Sequence, residues 1–137
     1  NFFEIFLTAS KRKEMKEALT ILFYSSENLS RTMVENSLRH NRLEGVISQL
    51  KLIVDKNFPD YKQVTDWLPL LSSSSIPFQI IWGVHDEIIQ YDSKVFPCNV
   101  LLKEIENAGH MVHMEQPTEF NQILKEYLKS QEISECL

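Results

Sequence analysis

The stretch IPFQIIWGVHD, residues 76–86, decides the fold of this chain. Its apolar part, Ile76–Trp82, is short and lies between a serine tract and Gly83, which is typical of a buried strand rather than a helix. A second apolar run, at Asn99–Ile105, predicts another strand. The residues between the two runs are too many for a tight hairpin and enough for a crossover connection. We therefore predict that the two strands pair in parallel.

The first part of the chain is helical by pattern. Between Glu4 and Asn57, residues recur in three stripes with the spacing of one helix face. The stripes are Met15, Ala18, Leu19, Leu22 and Phe23; then Leu29, Met33, Val34, Ser37 and Leu38; and last Leu43, Val46, Ile47, Leu50, Ile53 and Val54. Ser25 and Ser26 are expected to cap the second helix, and Asn41 to end it.

After Pro59, strands appear among the helices. Asp66–Leu71 predicts a short helix that Pro69 disturbs, and Ser72–Ser75 predicts a linker. Pro117 suits the first turn of a last helix. The apolar face of that helix is formed by Phe120, Ile123, Leu124, Tyr127 and Leu128. These elements together predict an α/β protein in which helices come first and parallel strands later.

Composition limits the possible functions. The 137 residues suffice for one domain, and the net charge of −5 disfavours a nucleic-acid partner, which usually meets a basic surface. No apolar run approaches the roughly 20 residues that cross a bilayer, and Asn1–Leu7 lacks the basic start of a signal peptide. Cys98 and Cys136 have no metal or redox spacing. We therefore expect a cytoplasmic chain with no membrane partner and no bound metal or cofactor.

Polar residues follow both predicted strands directly. Asp86 comes just after the first strand and His110 just after the second. The carboxyl ends of parallel strands meet at one edge of a sheet, where functional groups collect in α/β proteins. A carboxylate that binds one imidazole nitrogen fixes the tautomer and leaves the other nitrogen as a general base. We therefore predict that Asp86 and His110 form an acid–base pair.

Two other interpretations of these residues stay open. Taken singly, Asp86 is well explained as the cap of a turn and His110 as an ordinary loop histidine. A metal cluster of His85, Asp86, His110 and His113 is less favoured, because their spacing matches no zinc signature and no cysteine supports it.

Two motifs resemble those of the α/β-hydrolases. WGVHDEII, residues 82–89, resembles their acid loop, W-G-x-x-D-x-I-I. NAGHMVHMEQPTEFN, residues 107–121, resembles their histidine loop, A-G-H-x-x-x-x-E-x-P-x-x-F-N. The order of acid before histidine also matches that fold. The resemblance implies that Asp86 and His110 are the acid and base of a Ser-Asp-His triad, and that Glu115 and Pro117 fix the loop and start the last helix.

The helical part resembles one particular subgroup of the α/β-hydrolases. Residues 6–46, FLTASKRKEMKEALTILFYSSENLSRTMVENSLRHNRLEGV, are similar to the helical cap of the hydrolase domain in the E2 component (dihydrolipoamide acetyltransferase) of acetoin dehydrogenase complexes. Glu44 stands where that family most often has Asp. The resemblance implies an incomplete α/β-hydrolase domain, with a cap at 1–60, a carboxyl-terminal core segment at 61–130 and a tail at 131–137.

The same resemblance implies a reaction and its partners. The parent enzyme would transfer an acetyl group between a lipoyl group and coenzyme A, within a complex of the 2-oxo-acid dehydrogenase type. The small acyl substrate would meet Asp86 and His110. A stand-alone esterase, thioesterase or C–C hydrolase would use the same triad, and a non-catalytic helical interaction module is a further alternative.

The nucleophile motif of the fold, G-x-S-x-G, does not occur in the sequence. The three glycines, Gly45, Gly83 and Gly109, do not flank a serine at that spacing. We therefore expect the nucleophile in an upstream half of the same domain and no activity from these residues alone. Without that half the first predicted strand has an open edge, which the upstream half, a second copy of the chain or the helical part of the same chain would cover.

Overall fold

A computed structural model describes residues 2–62, 66–89, 96 and 100–134. Cys98, Asn99 and Cys136 lie outside the described residues. The helices are α1 (Phe2–Thr8), α2 (Arg12–Thr20), α3 (Arg31–Asn41), α4 (Val46–Asn57), α5 (Leu68–Ser73), α6 (Val112–Glu115) and α7 (Pro117–Ser134), and the strands are β1 (Gln79–Gly83) and β2 (Leu101–Ile105). Short 3₁₀ turns lie at Ser26–Asn28 and Pro59–Tyr61. None of the described helices is both long and apolar enough to cross a lipid bilayer.

β1 and β2 pair in parallel, which confirms the predicted arrangement. The register joins Gln79 to Leu101 at one end and Gly83 to Ile105 at the other. Both strands are shorter than the apolar runs that predicted them. Ile76, which is 73% exposed, precedes β1, and the strand continues one residue past Trp82.

The two strands differ in the side chains they carry. In β1, Ile80, Ile81 and Trp82 are all half-buried. In β2, Lys103 and Glu104 are exposed. Charged side chains are typical of a strand at the edge of a sheet, whereas a run of apolar residues is typical of an interior strand. β1 therefore has the composition of a strand with neighbours on both sides.

The apolar side chains form two separate cores. The helical core contains Ala9, Met15, Leu19, Phe23, Leu29, Val34 and Leu38. The apolar residues of the first two predicted stripes therefore pack in a core, but Leu22 and Phe23 lie after α2 and Leu29 lies before α3. The second core lies between the sheet and the last helices and contains Ile105, Ala108 and Val112, with Ile81, Phe120 and Ile123 packed against it. The first core holds the helical part together, and the second holds the loops that follow the strands.

The third predicted stripe is not a core in this chain. α4 has no buried residue, Ile53 is 54% exposed, and Leu43 lies before the helix and is 56% exposed. α4 touches α1 and α3 only at a few positions. The spacing of its apolar residues predicts a helix, as observed, but the described residues cover that face only in part: Val46, Ile47, Leu50 and Val54 are half-buried.

The start of α3 differs from the prediction that Ser25 and Ser26 cap this helix. Ser25 caps the short 3₁₀ turn, and Ser30 caps α3 by accepting a hydrogen bond from the backbone N–H of Met33 at 3.2 Å.

At the start of α2, the Glu14 carboxylate accepts hydrogen bonds from the backbone N–H groups of Ser10 (2.9 Å) and Lys11 (3.0 Å). These two bonds lower the pKa of Glu14, because they favour its charged form.

Later in the chain, two helices extend beyond their predicted bounds. Ser72 and Ser73, which were predicted as linker, belong to α5, and their hydroxyls donate hydrogen bonds to the carbonyls of Leu68 and Pro69. Pro69 lies in the first turn of α5, where a missing N–H breaks no helical bond. α7 begins at Pro117 as predicted and runs to Ser134, so residues 131–134 of the predicted tail are helical.

Met15 is the side chain whose loss we expect to cost the helical core most, since it is fully buried at 0% exposure. Met15→Ala should lower the free energy of unfolding by about 2–5 kcal/mol, because it removes apolar contacts and leaves a cavity. Leu52→Ala, at a position that is 60% exposed, should lower it by about 0.5 kcal/mol or less. Urea denaturation followed by circular dichroism measures both. Equal losses in the two variants would contradict this description of the core.

Candidate active site

The loops that follow β1 and β2 lie side by side. The pairing of the strands continues into them, since the backbone N–H of Val84 donates to the carbonyl of Ile105 at 3.1 Å. The N–H of His85 then donates to the carbonyl of Ala108 at 2.9 Å. These two bonds carry the loops in register past the ends of the strands, so the residues that follow start from neighbouring positions.

Two glycines allow this close approach. A Cβ atom on Gly83 would lie 2.2 Å from the carbonyl oxygen of Gly109, which no side chain tolerates. A Cβ atom on Gly109 would lie 2.8 Å from the backbone nitrogen of Tyr24, in the helical part. Sequence reasoning used Gly83 to bound the first strand, Gly109 as part of a loop motif and both glycines to exclude a nucleophile motif, and it missed this packing role. A glycine directly after an apolar strand was the available signal.

Asp86 and His110 meet at this strand end. The distance from Asp86 Oδ2 to His110 Nδ1 is 2.9 Å, so the predicted contact is present. The Asp86 side chain is only 5% exposed. Its other oxygen, Oδ1, accepts hydrogen bonds from the backbone N–H groups of Ile88 (2.8 Å) and Ile89 (3.0 Å). Both carboxylate oxygens therefore have hydrogen-bond partners. The turn holds the carboxylate through Oδ1, which orients Oδ2 toward His110.

This contact selects one form of the imidazole. An ionised carboxylate can only accept hydrogen bonds, so the proton between the two groups belongs to Nδ1 of His110. In the neutral ring the proton-free nitrogen is then Nε2. No hydrogen bond within the described part of the chain reaches Nε2, and the His110 side chain is 35% exposed. The pair can thus take up a proton at Nε2 while Asp86 stabilises the charge that forms on the ring.

The other two candidate histidines have separate surroundings. The ring of His85 stacks on Tyr24 at a centroid distance of 4.3 Å, and its Nε2 lies 3.8 Å from Glu106 Oε2. His113 lies 5.9 Å from the ring of Phe120. Within the described residues, no group of three or more His, Cys, Asp and Glu side chains could hold a metal ion. The metal alternative therefore has no geometric support there.

Glu115 is a buried carboxylate beside the pair. Its Oε2 accepts a hydrogen bond of 2.6 Å from the backbone N–H of Gly109, which directly precedes His110. This bond agrees with the loop-fixing role that the resemblance implied. Its Oε1 accepts hydrogen bonds from the backbone N–H of Ser25 (3.1 Å) and from Nδ2 of Asn28 (3.4 Å). Sequence reasoning missed these two partners, because nothing local links them to Glu115.

Comparison with known proteins gives two similar relatives. The chain is 32% identical over 91% of its length to the dihydrolipoyllysine-residue acetyltransferase component of the acetoin cleaving system of Cupriavidus necator. It is 31% identical over 90% of its length to the protein of the same name from Pseudomonas putida. The chain spans about a third of the length of each relative, 34% and 33%. A scan against models of known protein families finds no match.

Among solved structures, the chain is similar to a mutant of the meta-cleavage product hydrolase CumD. The TM-score is 0.71 at 14% sequence identity, and the match covers 94% of this chain and 50% of that one. A likeness at this identity establishes the fold alone.

Gly83→Ala should separate the two loops, because the new Cβ would collide with backbone atoms that cannot rotate away. We expect loss of the contact between Asp86 and His110, seen in the NMR spectrum as loss of the hydrogen-bonded Nδ1–H signal of His110. Gly45→Ala is the control. Gly45 has a φ of 81° with nothing within 4 Å of an added Cβ, so the change costs about 1–2 kcal/mol of backbone strain and leaves the pair intact. An unchanged His110 signal in a folded Gly83→Ala protein would contradict the packing role of this glycine.

Proposed function

We propose that this chain, which has an α/β-hydrolase fold, supplies the acid and the base of a Ser-Asp-His triad in an acyltransferase. Asp86 is the acid and His110 the base. The observation that carries the proposal is the 2.9 Å contact between these side chains, one buried and one partly exposed, at the ends of two neighbouring parallel strands. Asp86 and His110 lie at the carboxyl ends of parallel strands, where functional groups collect in α/β proteins.

The proposed reaction moves one acyl group between two thiols. A serine outside these residues loses its proton to Nε2 of His110 as its oxygen forms a bond to the thioester carbonyl carbon. His110 then returns the proton to the thiolate that leaves, and the acyl group stays on the serine oxygen. Attack by a second thiol, with the same proton transfers, releases the new thioester and restores the serine. Asp86 remains ionised and stabilises the imidazolium at each stage.

The two thiols in our proposal are the dihydrolipoyl group and coenzyme A. Support comes from the names of the two relatives, dihydrolipoyllysine-residue acetyltransferase components of an acetoin cleaving system. On the same ground, the proposed assembly is an enzyme complex of the 2-oxo-acid dehydrogenase type. Hydrolysis by the same triad differs only in the acceptor, water in place of a thiol, and the contact between Asp86 and His110 is compatible with either. The relatives favour transfer.

The proposed source of the serine is the preceding half of the same domain. β1 has the uncharged, largely apolar composition of an interior strand, whereas the exposed Lys103 and Glu104 are typical of an edge strand. A further parallel strand that pairs with β1 would add its own carboxyl end to the edge where Asp86 and His110 lie. The match to half of the CumD chain fits this division of the domain. Pairing between two copies through β1 stays a prediction, which sedimentation would test.

A chimeric enzyme tests the proposed roles. This chain would replace the matching third of the Cupriavidus necator acetyltransferase, and acetyl transfer from acetyl-dihydrolipoamide to coenzyme A would be followed by absorbance. We expect His110→Ala to lower kcat by about a thousandfold or more, because the serine loses its base. Asp86→Asn should lower kcat by about a hundredfold or more, because the amide no longer favours the productive tautomer.

His113→Gln is the matched control for the chimera, because His113 is an exposed histidine three residues from His110 that contacts only Phe120 among the described rings. It should leave kcat within about twofold. An active chimera that retains full kcat after His110→Ala would refute the proposed triad. A chimera that hydrolyses the thioester without forming acetyl-coenzyme A would favour the hydrolase.

The chain alone should show no turnover of an activated acyl ester above the uncatalysed rate. An acid–base pair without a nucleophile and oxyanion donors lacks the groups that carry most of the rate enhancement. Spectrophotometric release of p-nitrophenol from p-nitrophenyl acetate measures this, with the His110→Ala variant as the background. Turnover that disappears with His110→Ala would show that a nucleophile exists within these 137 residues.

A further inference from the structure

Glu115 is a buried side chain, 8% exposed, that the proposed proton transfers do not use. Its two oxygens bind different parts of the molecule. Oε2 accepts from the N–H of Gly109 in the histidine loop at 2.6 Å. Oε1 accepts from the N–H of Ser25 and from Nδ2 of Asn28, in the turn between α2 and α3. A carboxylate binds such donors more strongly than a neutral acceptor does, so this one group joins the loop to the helical part.

Backbone contacts reinforce the same junction. The N–H of Met111 donates to the carbonyl of Leu22 at 3.1 Å, and Gly109 packs directly against the backbone of Phe23 and Tyr24. Gly109 and Met111 are the two chain neighbours of His110. Residues 22–28 of the helical part therefore contact the backbone on both sides of the histidine, whereas the sheet side contacts the backbone before it, at Ala108 and Gly109, and holds the ring through Asp86.

We propose that Glu115 is a positioning residue that couples His110 to the turn between α2 and α3. The inference rests on the proposed role of His110 as the base. A shift of residues 22–28 relative to the sheet pulls on Gly109 through the carboxylate and draws the imidazole away from Asp86. The helical part thus determines whether the base is correctly placed, and a substrate that displaces this part would change the geometry of the pair.

NMR spectroscopy of the full chain tests this without any need for turnover. In alkaline solution, where a histidine is neutral, long-range ¹H–¹⁵N spectra report which nitrogen of His110 carries the proton. Glu115→Gln leaves one acceptor oxygen for three donors. We expect the Nδ1–H tautomer of His110 to give way to a mixture, and amide exchange at Gly109 or Ser25 to accelerate by about 10- to 100-fold. Glu119→Gln, an exposed residue of α7, should change neither.

A second variant disturbs the junction from the helical side. Asn28→Asp sets a second carboxylate against Glu115, whereas Asn36→Asp makes the same change at an exposed position of α3. We expect the first to shift the His110 tautomer and the second to leave it unchanged. The shift should persist in 1 M salt, where the Debye length is only about 3 Å, because salt screens a direct effect of the new charge over longer distances but acts little on a contact with the buried Glu115.

Three outcomes decide the inference. A mixed tautomer in both Glu115→Gln and Asn28→Asp, with unchanged controls, supports it. A folded Glu115→Gln protein in which His110 keeps its Nδ1–H tautomer overturns the positioning role. An effect of Asn28→Asp that salt abolishes overturns the coupling. Failure of the chimera to transfer acetyl groups would count against the proposed reaction only, since these spectra are independent of it.

Discussion

The contact between two backbones, at Gly83 and Gly109, is the constraint on which the rest of the site depends. The parallel register places Gly83 beside Ile105, and hydrogen bonds from Val84 and His85 continue that register into the loops. With side chains at these two positions the loops could not approach, and Asp86 would emerge too far from His110 for a hydrogen bond. The chemistry of the pair thus follows from the absence of two Cβ atoms.

Two buried carboxylates, Asp86 and Glu115, also stabilise the loops that form the site. A carboxylate removed from water is costly unless donors replace its hydration, and both Asp86 and Glu115 are surrounded by backbone N–H groups. Asp86 orders the loop after β1, and Glu115 orders the loop after β2 against the helical part. The two carboxylates thus add to the direct backbone contact between the loops, and the hydrogen bond between Asp86 and His110 joins side chains that this contact already brings close.

Local patterns predicted the features of this structure that have local causes. The length and flanks of the two apolar runs predicted the strands, and their shared ends placed Asp86 near His110. The start of α7 followed from Pro117 because its ring favours a first helical turn.

The link from Glu115 to Ser25 could not be predicted, since it spans 90 residues and depends on how the helical part docks. Nor could the exposure of α4, because an amphipathic pattern shows that a face is apolar and does not show which element covers it. Ser25 and Ser30 illustrate the same limit at close range, since they lie on either side of Leu29, the first residue of the second stripe, and only the intervening 3₁₀ turn assigns the α3 cap to Ser30.

The unequal edges of the sheet have a consequence for self-association. A strand with two hydrogen-bonding edges of similar character can add copies on both sides and grow into a fibril. Here one side carries Lys103 and Glu104, and stacking this strand on its own image in a parallel register would set lysine against lysine and glutamate against glutamate. Growth through β2 is therefore disfavoured, and the charges on this strand restrict the proposed pairing with a further strand to the edge formed by β1.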